Sequence, residues 1–99
     1  MYFIFRGKVD KLHVYVRIQL PQIPWAGDCI QLTHEQIGEA HLVTKARGKK
    51  FQTEIGEVLD GETLEKLTKA LCENTWRVTD LRGKVQGERT PLEIRVKKA

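Results

Sequence analysis

The side chains able to do chemistry in this chain are few and poorly grouped. His34-Glu35 opens like a zinc-protease helix, but the second histidine that would complete its metal-binding face is replaced by Gly38. His34 and His41 would share a helix face only if a helix ran through Gly38, and no cysteine or acid completes a ligand set. Cys29 and Cys72 have no companion at metal or redox spacing. Both sit in apolar-flanked segments and read as buried, reduced thiols in preference to a bridge or a nucleophile. Glu54 and Glu57 fit solvated strand ends better than a general acid–base couple. The 8 glycines are scattered, without the pairing that opens a phosphate loop. These patterns predict no catalytic residue, no metal and no cofactor, and they favour a non-enzymatic chain while leaving the enzyme question open.

Residues suited to binding are better grouped. Lys45, Arg47, Lys49 and Lys50 surround Gly48, and on a hairpin tip they could reach phosphates. The competing reading is a charged turn that keeps its flanking strands from aggregating. His13, Tyr15 and Arg17 alternate with apolar residues, so a ring and a guanidinium would share one sheet surface, as in a base-stacking platform. Sheets also carry tyrosine and arginine on half-exposed faces for packing alone. Arg95, Lys97 and Lys98 make the C-terminal segment basic. Pro21-Gln22-Ile23-Pro24 has bare PxxP spacing, but Ile18 and Ala26 stand where a flanking basic residue belongs. That segment reads as an extended corner with Trp25 folded onto the core.

The elements that must position these residues are mostly strands. Leu12, Val14, Val16, Ile18 and Leu20 alternate with His13, Tyr15, Arg17 and Gln19, which is the period of a half-buried strand. Tyr2 to Arg6 is aromatic and β-favouring, and should turn at Gly7 to Val9 into that second strand. Gly27-Asp28 marks a turn before a short strand, Cys29 to Leu32. Thr33 and Gln36 have capping-box spacing, with Leu32 and Ile37 as a hydrophobic staple, and Gly38 limits the helix to one or two turns. Segments 41–46 and 49–55 flank Arg47-Gly48 as a hairpin with a basic tip.

One longer helix is expected over about 61–74. Asp60 or Thr63 would cap it, and Leu64, Leu67 and Leu71 would form its buried stripe. Glu62 with Lys66 and Glu65 with Lys69 would pair on its wet face, and Asn74 would end it in a left-handed conformation. Trp76 and Val78 begin another strand, and Leu92, Ile94 and Val96 lie in a last one, with Gly83, Gly87 and Pro91 marking turns or bulges between them. The expectation is a single α+β domain: a strongly curved antiparallel sheet or small β-barrel of about six strands, with the helix packed on it.

With 99 residues, 40% hydrophobic and 30% charged, the chain has an ordinary globular composition. Tyr2 to Phe5 is too short an apolar run for a signal peptide, and no stretch approaches a membrane span, so a cytoplasmic protein is expected. The net charge of +4 gathers toward the two ends of the chain, and pairing of the terminal strands would merge it into one basic face. Two functions fit. The first is a non-enzymatic interaction module, docking on another protein or on itself through a sheet edge such as Leu12 to Leu20. The second is nucleic-acid binding through the basic hairpin and the basic C-terminal strand.

Overall fold

A computed structural model describes residues 1–47, 52–82 and 92–99, with the backbone alone at 44–47 and 52–55. Its elements are β1 (Tyr2–Val9), β2 (Leu12–Gln19), β3 (Cys29–Gln31), a 3-10 turn (His34–Gln36), β4 (Ile37–Arg47) and β5 (Gln52–Val58). After these come α1 (Gly61–Glu73), β6 (Thr75–Arg82) and β7 (Leu92–Lys98). The fold is α+β. Its seven described strands form one sheet in the order β3-β6-β7-β1-β2-β4-β5.

That order has two ends, β3 and β5, so the sheet is open and not a barrel. Five of its pairings are antiparallel, but β1 and β7 run parallel, which corrects the expectation of an antiparallel sheet. The reason is the route of the chain. Having built the β1-β2-β4-β5 side, it crosses through α1 and returns by β6, so β7 enters beside β1 in the same direction. The terminal strands are therefore neighbours. β2, expected to offer an edge, lies inside the sheet between β1 and β4. Register shifts in β2–β4, β4–β5 and β6–β7 mark bulges, which bend strands and curve a sheet.

The alternation read in β2 holds. Val14, Val16 and Ile18 are buried, whereas His13, Arg17 and Gln19 are exposed. Phe3, Phe5, Trp76, Val78, Ile94 and Val96 join them on the inner face, where Leu67 and Leu71 of α1 close the core. Trp76 is anchored twice. Its indole N–H donates to the Leu71 carbonyl at 3.0 Å, and its ring meets Phe5 edge-on with centroids 5.3 Å apart. The helix is thus tied to the strand that follows it. Gly7 is needed at the β1–β7 contact, because a Cβ there would lie 2.7 Å from Val96 Cγ2.

Four local expectations are corrected. Trp25 is 76% exposed instead of packed on the core. It opens a tight turn in which the Asp28 N–H donates to the Trp25 carbonyl and the Trp25 N–H donates to the Asp28 carboxylate. Gly27 supplies the positive φ that this turn requires. Cys29 is exposed because its neighbour Ile30 takes the inward position of β3, and Cys72 is only partly buried; both thiols are free. Asn74 is extended instead of left-handed, and its side-chain amide donates to the Ala70 carbonyl at 2.6 Å, capping the last turn directly. On the wet face of α1 the ion pair is Lys69 with Glu73, at 3.9 Å. The capping box expected of Thr33 and Gln36 is present, with the Thr33 N–H donating to Gln36 Oε1 at 3.0 Å. Gly83, Gly87 and Pro91 lie outside the described residues.

Candidate nucleic-acid interface

Because α1 covers one face of the sheet, the other face is left to the residues that alternate with the buried ones along each strand. In β2 these are His13, Tyr15 and Arg17. Register extends them across the sheet. Arg95 of β7 stands beside Arg6 of β1, Arg6 beside Tyr15, and Tyr15 beside His41 of β4. The next row holds Arg82 beside Glu93, Glu93 beside Ile4, and Ile4 beside Arg17.

These two rows are knit by charge. Glu93 Oε1 accepts from Arg6 at 3.0 Å and lies 3.6 Å from Arg95 Nε, while Asp80 holds Arg82 at 2.8 Å. The Arg82 guanidinium and the Leu81 N–H hold the Asp80 carboxyl below its usual range. Arg17 stacks over the Tyr2 ring at 4.3 Å. Tyr15 is half-buried among these groups. Burial, with help from Glu93 and against Arg6, pushes its phenol above the ordinary value, so the ring stays neutral at physiological pH.

A third row differs in carrying no acid. One step past the Arg6–Arg95 pair, Gly7 lies against Val96 on the inner face, which leaves Lys8 and Lys97 outward. Lys97 is paired with Arg77 of β6, and Lys8 with His13. All four side chains are exposed, and no described acid forms an ion pair with Lys8, Arg77 or Lys97. The row spans three strand spacings, about 15 Å. β4 runs on past Leu42, its last partner position on β2, to Arg47, paired there with β5 alone. The β4–β5 ribbon therefore projects from the same end of the sheet as this row.

His13, Tyr15, Arg17, Arg95 and Lys97 are thus brought onto one face. Lys98 stands opposite Trp76, out of phase with that face, though it is exposed at the strand end. Lys45 and Arg47 lie in the projecting part of β4, and Lys49 and Lys50 lie outside the described residues. Sequence reading missed Tyr2, Ile4, Arg6, Lys8 and Arg77. The signal was available: period two through β1 puts the first four on one side, and Arg77 sits between the buried Trp76 and Val78.

Away from this face, an open groove of about 750 Å³ runs beside α1, lined by His34, Leu64, Cys72 and charged helix residues. Burial and the adjacent Glu73 raise the Cys72 thiol above its usual value, which disfavours a thiolate there. Among the described residues no three metal-ligating side chains gather, and no helix is long and apolar enough to cross a membrane. Comparison with known protein families, with curated protein sequences and with solved structures returns no match.

Proposed function

We propose that the uncovered face of the sheet binds single-stranded nucleic acid. The observation that carries this reading is the acid-free row of Arg77, Lys97 and Lys8, ending at His13, beside Tyr15 and the stacked Tyr2–Arg17 pair. Free cations contact phosphates and release their counterions, while exposed rings offer surfaces on which unpaired bases stack. A broad sheet does not enter a major groove about 12 Å wide, and rings on its surface cannot reach bases that remain paired. Single strands are the form that uses both features at once. The test is fluorescence anisotropy of a labelled single-stranded 20-mer at low salt, with unlabelled duplex of the same sequence as competitor. Saturable binding that duplex displaces poorly supports the reading; no anisotropy change rules it out.

A second reading, a protein-interaction module, is favoured by one observation. Trp25 and Ile23 stand exposed on the same loop, and an exposed tryptophan is a common anchor of protein interfaces. On this reading Trp25→Ala abolishes an association seen by light scattering or by pull-down, without affecting stability. A strict monomer that retains no protein would count against it.

A further inference from the structure

The uncovered face carries a recess. Ile4, Tyr15, Arg17, Glu39 and His41 line a cleft of about 150 Å³ between β1, β2 and β4. A volume of this order holds a benzene ring, so the cleft has room for the edge of one base. Its floor is apolar: Ile4 is only 7% exposed although it lies opposite the core, beneath its longer neighbours. Its polar rim is ordered. His41 Nε2 lies 2.9 Å from Glu39 Oε1, and Nδ1 lies 3.0 Å from the Gly56 carbonyl oxygen. Both partners are acceptors, so whichever ring nitrogen carries the proton donates to one of them and holds the imidazole at the rim. No hydrogen bond from a described residue reaches Glu39 Oε2, and Arg17, with its guanidinium on Tyr2, also lines the cleft.

We propose that this cleft is a guanine subsite, an inference that rests on the nucleic-acid reading above. A carboxylate accepts two hydrogen bonds side by side and donates none. Among the four bases, guanine alone presents two adjacent N–H donors on its pairing edge, from N1 and the exocyclic amine, next to a carbonyl oxygen. Glu39 meets the two donors, and Arg17 meets the carbonyl. Uracil offers one donor between two acceptors, and adenine and cytosine place an acceptor next to their amino group, which the carboxylate repels. Tyr15, neutral and half-buried at the cleft wall, supplies the ring against which the base packs.

The experiment uses five single-stranded nonamers of uridine whose central residue is uridine, cytidine, adenosine, inosine or guanosine. Binding is measured by fluorescence anisotropy at one salt concentration. The guanosine oligomer is expected to bind roughly 5- to 150-fold more tightly than the uridine one, the span of one bidentate base contact. Inosine, which keeps N1–H and lacks the amine, falls between them. Glu39→Gln removes one acceptor, and it should erase the difference in affinity between the guanosine and uridine oligomers. Equal affinity for all five oligomers overturns the guanine subsite and leaves the basic face standing. No binding of any oligomer overturns both. A guanosine preference that survives Glu39→Gln overturns the assignment of this cleft.

Discussion

Arg17 lies over the ring of Tyr2, 4.3 Å from its centroid, and so couples β1 to β2 on the face that the helix leaves uncovered. The pair does two things. It holds a cation in register with the Arg6–Glu93 network, and it shows a guanidinium plane and an aromatic ring to solvent at one place. Tyr2→Ala should weaken oligonucleotide binding by about 1–3 kcal/mol, the range for loss of one base–aromatic stack. Thermal stability should change by less than about 1 kcal/mol, because exposed cation–π pairs contribute little. Anisotropy and a denaturation curve on the same preparation separate the two effects.

The helix face can be tested without any ligand. Leu67 is 7% exposed and belongs to the core cluster, so Leu67→Ala should cost about 2–5 kcal/mol of stability in urea unfolding. A loss below about 0.5 kcal/mol would mean that α1 does not close the core as described.

The β1–β2 connection carries a local conflict. Asp10 and Lys11 both have positive φ, 46° and 69°, where glycine or asparagine would be relaxed. The double substitution Asp10→Asn, Lys11→Gly should therefore stabilise the protein by about 0.5–1 kcal/mol. It removes one acid and one cation together, so the net charge of the turn is unchanged and stability is what should move. A variant no more stable than the wild type would disprove this account of the turn.

Tyr15 should report on its surroundings through its own ionisation. Its phenol is raised mainly by burial, then by Glu93, so the folded state favours the protonated form. The stability this adds is fully present below the ordinary phenol value and is lost as pH rises through the higher folded value. In an alkaline titration followed by tyrosinate absorbance, Tyr15→Phe should remove a late-ionising component. Absorbance that loses only an early component would place Tyr15 in open water.

Much of this architecture was legible because period two is a strong signal wherever one face is dry. Leu12 to Leu20 announced β2, and Leu64, Leu67 and Leu71 announced α1. Strand order was not legible, because nothing local in Phe3 or Ile94 says that they will lie on neighbouring strands. That depends on where α1 carries the chain. Trp25 misled for a similar reason: its size argues for burial, but the turn it opens is decided by Gly27 and Asp28. The face that gathers the cations was half visible. His13, Tyr15 and Arg17 could be read from one strand, whereas Arg77 meets Lys97 only once β6 and β7 are paired.

The central claim is that the row of Lys8, Arg77 and Lys97 contacts phosphates, and the salt dependence of binding measures this most directly. For the wild-type protein on a single-stranded 20-mer, log K should fall linearly with log salt concentration. In the triple variant Lys8→Gln, Arg77→Gln, Lys97→Gln, the slope should be shallower by about 2, from about 0.7 per lost phosphate contact. An unchanged slope in a folded variant would contradict the claim.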